Sequence, residues 1–119
     1  MTTNEIASQL VELCRKGDFE EAQKDLFSDD AGSIEPHATQ DFDKETKGLN
    51  AIIEKSKKFG AMVDETHNIT ISDPLIASNS FACIMNMDIT IKGQDRMAMK
   101  ELCVYEVKDG KIVSEHFFM

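Results

Sequence analysis

Residues 80–119 read SFACIMNMDITIKGQDRMAMKELCVYEVKDGKIVSEHFFM, and this stretch decides the fold. Two turn signals divide it, Lys92-Gly93-Gln94-Asp95 and Lys108-Asp109-Gly110-Lys111. Asp109-Gly110 is the stronger, because a two-residue hairpin turn needs positive φ at both central positions. The segments they separate, Ser80–Ile91, Arg96–Val107 and Ile112–Met119, are rich in β-branched, aromatic and methionine side chains and read as strands. Strands joined by such short turns are antiparallel neighbours. Further turn signals at Ser72-Asp73-Pro74 and Ser78-Asn79-Ser80 set off an earlier strand, Val63–Ser72.

Moving toward the N-terminus, the period changes from two to that of a helix. Ile6, Leu10, Leu13 and Cys14 make one apolar stripe, with Thr3 read as the N-cap and Gly17 as the stop. Asp18 is read as the cap of a second helix, with Glu21 completing a capping box and Phe19, Ala22, Leu26 and Phe27 on the buried side. Ser28-Asp29-Asp30 would end it. A short extended piece, Ala31–Glu35, then runs into Pro36, which biases Glu35 toward extended backbone. The polar stretch His37–Lys47 reads as a loop. Gly48-Leu49 opens a third helix with Leu49, Ile52, Ile53 and Phe59 on one side. Helices first and a meander afterward mean an α+β fold, with helices over one face of a curved sheet. No repeat or linker divides the chain, so residues 1–119 read as one domain.

Composition narrows the function classes. The chain has 119 residues and 41% hydrophobic content, enough for one core. Its net charge of −9 argues against nucleic acid or anionic membrane as partner, since both need clustered Lys and Arg. No apolar run is long enough for a membrane span, and the start lacks the basic-then-apolar pattern of a secretory signal. Cys14, Cys83 and Cys103 are odd in number and embedded in apolar sequence, which predicts reduced core thiols and a cytoplasmic protein. The histidines, His37, His67 and His116, show no metal-ligand spacing, so neither metal nor cofactor is expected.

The run Leu26-Phe27-Ser28-Asp29-Asp30-Ala31 after a capped helix, then an extended piece ending in an acid and proline, resembles the nuclear-transport-factor-two-like superfamily. Lys47-Gly48-Leu49-Asn50-Ala51-Ile52 and Asp109-Gly110-Lys111-Ile112 extend the resemblance over nearly the whole chain. Within the superfamily it is similar to SnoaL-like polyketide cyclases and ketosteroid isomerases. The resemblance implies a cone: a curved, antiparallel-rich sheet wrapped by the three helices and enclosing an apolar pocket. Ketosteroid isomerases of this kind place a general-base aspartate before the strand-ending proline, and Glu35 stands there. They also carry a tyrosine and a protonated aspartate as oxyanion donors. Those places fall on Leu10, which has no donor, and Cys103, whose S–H is a weak one.

A carboxylate at the mouth of an apolar cavity has its charged form disfavoured, so the pKa of Glu35 would rise toward neutrality and suit it to take a proton from carbon. The alternative is a surface acid ending a strand. Period-two alternation puts Glu101, Cys103 and Tyr105 on one side of their strand, and the resemblance turns that side inward. The only tyrosine, Tyr105, would then donate to a ligand carbonyl, or else pack in the sheet with its hydroxyl at the rim. A step count from Lys111 turns Glu115 and Phe117 inward and His116 outward. Lining residues from the first half would be Leu10, Cys14, Phe27, Ile52 and Phe59, with His37 at the mouth and in reach of Glu35. Seven methionines and seven phenylalanines without tryptophan suggest an adaptable, flat apolar pocket, or ordinary core.

The expectation is a small-molecule-binding protein, a cofactor-free isomerase or cyclase acting on an apolar carbonyl compound with Glu35 and Tyr105 as catalytic residues. The alternative is a non-catalytic binding or dimerisation module of the same fold. Apolar Ile84, Leu102 and Val104 on the other side of the strands require cover, which predicts a homodimer through the outer sheet face.

Overall fold

Thr2, one residue before the expected cap, starts the first helix. In the computed structural model, which describes residues 1–119, its Oγ1 accepts from Glu5 N at 3.1 Å, while Thr2 N donates to Glu5 Oε1 at 2.9 Å. This reciprocal pair satisfies two helix-end donors. Helix α1 (Thr3–Arg15) buries Ile6, Ala7, Leu10, Val11 and Cys14 along one stripe. It ends in a Schellman motif: Asp18 N donates to Leu13 O and Gly17 N to Cys14 O, with Gly17 at φ +80°. Helix α2 (Phe19–Leu26) starts from Asp18, but that side chain makes no capping hydrogen bond, so the expected box with Glu21 does not form.

The end of α2 also differs from expectation. Phe27 is already extended, at φ −90° and ψ 147°, and opens strand β1 (Phe27–Ile34). Ser28-Asp29-Asp30 therefore lies in the strand. The physical reason is pairing: Phe27 faces Ile112 of the last strand, and Ala31 and Ser33 are completely buried. Within the stretch read as a loop, β2 (Glu45–Lys47) pairs antiparallel with the end of β1. Gly48, at φ +93°, donates its N–H to Ala31 O at 2.8 Å and turns the chain into α3 (Leu49–Met62). A side chain at that φ would be strained.

The strands β3 (Val63–Ile71), β5 (Ser80–Ile91), β6 (Arg96–Lys108) and β7 (Lys111–Phe118) match the sequence reading to within a residue or two, and a short β4 (Leu75–Ala77) adds to β5. The β6–β7 turn has positive φ at both Asp109 (52°) and Gly110 (76°), as its sequence predicts. The sheet runs β2-β1-β7-β6-β5-β3 and is not closed; only β1 and β7 are parallel. Three helices and this seven-stranded sheet form the expected α+β cone. On β6 the Glu101, Cys103, Tyr105 and Val107 side is buried, whereas Leu102 is 41% exposed. The core packs Ile6, Leu10, Leu26 and Ile52 of the helices against Phe81, Tyr105 and Ile112 of the sheet.

Candidate functional site

The helices do not fill the concave face of the sheet. They leave a cavity of about 690 Å³. Cross-strand register sets its sheet wall in rows, because residues directly opposite on paired strands point to the same side. One row is Ser33, Glu115, Tyr105 and Phe81, from β1, β7, β6 and β5, of which Glu115 and Tyr105 border the cavity while Ser33 and Phe81 are buried at its ends. The next is Phe117, Cys103 and Cys83; a third is Glu101, Met85 and Ile71. Tyr105 stacks on Phe81 with ring centroids 4.8 Å apart.

Of the residues expected from sequence, Leu10, Cys14, Phe27, Glu35, His37, Phe59, Glu101, Cys103, Tyr105, Glu115 and Phe117 all border this one cavity. Ile52 does not. It is completely buried in the main core, one turn before Lys55 and Ser56, which do reach the cavity. His37 is exposed and does not pair with Glu35. The partner of Glu35 is Lys55 on α3, with Nζ 3.0 Å from Oε1. Lys55 also donates to Ser33 Oγ at 2.6 Å, and Ser33 Oγ donates to Glu115 Oε1 at 2.8 Å. A chain of four polar groups thus crosses from α3 through β1 to β7.

The apolar, charge-disfavouring environment expected for Glu35 belongs instead to Glu101 and Glu115, which are 9% and 5% exposed. Burial raises the Glu101 carboxyl to about 7, helped by the charges of Glu35 and Glu115 and opposed by Lys55. Burial likewise raises Glu115 to about 7, against the Ser33 hydrogen bond and Lys55, with Glu35 adding to the rise. The only hydrogen-bond partner of Glu101 is the weak thiol of Cys103, 4.0 Å away. Burial holds the Tyr105 hydroxyl well above its usual range, so it stays protonated. The hydrogen bond with Cys83 and burial raise the Cys103 thiol, and burial pushes Cys14 to about 12. Such thiols are inert packing groups at neutral pH.

Sequence reasoning missed Lys55, Ser33 and Gln23. Each carries a signal: Ser33 alternates with Ala31 and Glu35, while Lys55 and Gln23 interrupt the apolar stripes of α3 and α2. The segment between β1 and β2 completes the rim, where Phe42 lies 6.4 Å from Phe59 and Lys58 donates to Asp41 O.

A family model for the SnoaL-like domain matches residues 1–119. The chain belongs to the SnoaL-like domain family. A protein from Mesorhizobium loti assigned to the SnoaL-like polyketide cyclases is 32% identical to this SnoaL-like chain over 100% of both, with a TM-score of 0.91. A cystatin-like-fold protein of unknown function from Xanthomonas campestris superimposes at TM-score 0.82 with 19% identity, covering 99% of this chain and 90% of that one. A ketosteroid isomerase-like-fold protein from Catenulispora acidiphila, solved with trimethylamine, gives 0.74 and 16%, covering 97% and 85%. These last two share the fold. No curated protein matches the SnoaL-like chain. None of its helices is long and apolar enough to cross a membrane.

Proposed function

We propose that this SnoaL-like protein binds an apolar, carbonyl-bearing small molecule in its cavity and moves a proton on it without a cofactor. One observation carries the reading: Glu101 and Tyr105 flank Cys103 on the inward side of β6 and face the same cavity as Glu35. The two positions where the resemblance calls for oxyanion donors hold Leu10 and Cys103. Tyr105 and a protonated Glu101, each two residues from Cys103, supply those donors instead. In this scheme Glu35, oriented by Lys55, takes a proton from the carbon beside the carbonyl. Negative charge grows on the oxygen, where the Tyr105 hydroxyl and the Glu101 carboxylic acid donate hydrogen bonds. Glu35 then returns the proton to a conjugated carbon, which balances an isomerisation. Return to the original carbon is the exchange reaction. In a cyclisation the enolate carbon instead bonds to a second carbonyl carbon of the ligand, whose oxygen takes the proton from Glu35. That a relative of this fold is solved with a small organic molecule, trimethylamine, agrees with a ligand-binding cavity.

The test is deuterium exchange from D₂O into 2-tetralone, a flat enolisable ketone, followed by NMR. Wild type accelerates exchange. Glu35→Gln lowers the rate by roughly 10²–10⁴-fold, and Tyr105→Phe by about 10²-fold. Equal exchange by wild type and Glu35→Gln removes the base assignment. A non-catalytic module of the same fold is the second reading, favoured by the engagement of Glu35 with Lys55. It predicts binding of the ketone without exchange. The buried free thiols Cys14, Cys83 and Cys103 favour a cytoplasmic location. We also propose a homodimer through the outer sheet face.

A further inference from the structure

Of the two buried carboxyls, Glu115 accepts a hydrogen bond from Ser33, and Glu101 has no such partner. Glu101 is 9% exposed and stands on the inward side of β6. Its Oε1 reaches only the Cys103 thiol, 4.0 Å away, and its Oε2 makes no hydrogen bond or ion pair within the protein. Gln23 Oε1 is the one side-chain nitrogen or oxygen that is both sealed and unpaired. Glu101 Oε2, unpaired but not sealed, is therefore open to the cavity its residue borders. Folded proteins pair nearly all buried polar groups. A carboxyl this buried, with one oxygen free and facing a cavity, points to an occupant that supplies the partner.

The charge of the wall restricts that occupant. Four acids border the cavity, Glu35, Asp64, Glu101 and Glu115, against one lysine and no arginine. Lys55 is committed, bonding Glu35 at 3.0 Å and Ser33 at 2.6 Å. His37, the one histidine on the wall, is exposed. The interior is thus short of positive charge, and its apolar walls screen that imbalance poorly. A carboxylate and an ammonium are each costly to bury alone and far less costly as a hydrogen-bonded pair. Burial holds the Glu101 carboxyl at about 7, and a cation brought against Oε2 offsets that burial and favours the carboxylate. The rest of the wall suits an apolar body: Met85 lies directly opposite Glu101 on β5, and Phe19 and Phe59 face it from the helices.

We propose that the cavity binds an apolar amine as its ammonium ion, with Glu101 Oε2 as the counter-ion. This rests on the cavity being a ligand site, as proposed above, and adds a second class of ligand. As the ammonium docks, the Glu101 O–H bond breaks, its proton leaves to solvent, and its electron pair stays on the carboxylate, which accepts an N–H···O hydrogen bond. The carboxylic acid that donates to the ketone oxygen is thereby removed, so the amine competes with the ketone.

The experiment titrates the protein calorimetrically with 2-aminotetralin, which has the ring frame of 2-tetralone and an ammonium in place of the carbonyl, and with 2-tetralone itself. Both titrations are run at pH 6 in two buffers of different ionisation enthalpy. The amine binds wild type more tightly than the ketone by about tenfold or more, the effect of one charge-assisted hydrogen bond, and releases about one proton. It also slows deuterium exchange into 2-tetralone competitively. In Glu101→Gln, and in Glu101→Met as a second variant, proton release vanishes and the amine binds about tenfold or more weakly than to wild type. If 2-tetralone binds but the amine binds no more tightly, the amine site fails and the ketone site stands. If the amine binds wild type without releasing a proton, or keeps its affinity in both variants, an acid other than Glu101 holds it and the assignment fails. If the amine binds as stated while wild type exchanges no deuterium into 2-tetralone, the proposed reaction falls and the amine site stands. If neither compound binds, both are overturned.

Discussion

The side chain at position 35 is a carboxylate bound by a lysine, while the carboxyls short of compensation are Glu101 and Glu115. That outcome was half legible in the sequence. Alternation on β6 and β7 placed both residues inward, but Lys55 sits 20 residues from Glu35 and reaches it only after α3 folds back across β1. No local pattern states which carboxyl a distant lysine will neutralise. A consequence for stability follows from the raised carboxyls. The fold holds their protons more tightly than the unfolded chain, where carboxyls titrate near 4.5. Their neutral burial is uncosted below that value, and stability falls as pH rises from there through about 7, then levels off. Urea unfolding at pH 5.5 and pH 8 should therefore show Glu101→Gln losing less stability than wild type, by about 2 kcal/mol. Identical losses would mean that Glu101 ionises without penalty.

Elements were more legible than their ends. The long strands followed from turn signals and alternation, both of which are local physics. The caps did not, because a threonine or aspartate before a helix caps it only if backbone geometry aims its oxygen at the first turn. Thr2 has that geometry, with its reciprocal bonds to Glu5, and Asp18 does not. The account predicts that Thr2→Ala destabilises by about 1 kcal/mol in thermal or denaturant unfolding, and that Asp18→Ala costs less. The reverse ranking would show the caps misread. The α2–β1 boundary was hidden for a similar reason: Ser28, Asp29 and Asp30 are poor strand formers and have no partner on β7, lying in the register shift between the Phe27 and Gly32 pairs that anchor the strand on either side.

At the scale of the whole molecule, one sheet has two duties. Its concave face closes a cavity with the helices, and its outer face carries Ile84, Leu102 and Phe118 as cross-strand neighbours, exposed by 41%, 41% and 46%. An apolar stripe across three strands is the surface the proposed dimer would cover. Light scattering should give twice the 13.3 kDa chain mass, and Leu102→Lys should return it to one; a wild-type monomer at micromolar concentration contradicts the dimer. The pattern of the sequence sufficed for the α+β order, because every strand and helix must bury its apolar side somewhere, and the family resemblance supplied the cone. The interior's chemistry needed the register of five strands at once. That chemistry is tested most directly by the pH profile of ketone deuterium exchange, since its two donors, Tyr105 and Glu101, must both be protonated. The account predicts exchange that holds below pH 7 and falls above it as Glu101 ionises near 7, with the fall gone in Glu101→Gln. Exchange that instead climbs with pH through 7 and 8, as hydroxide catalysis does, would contradict it.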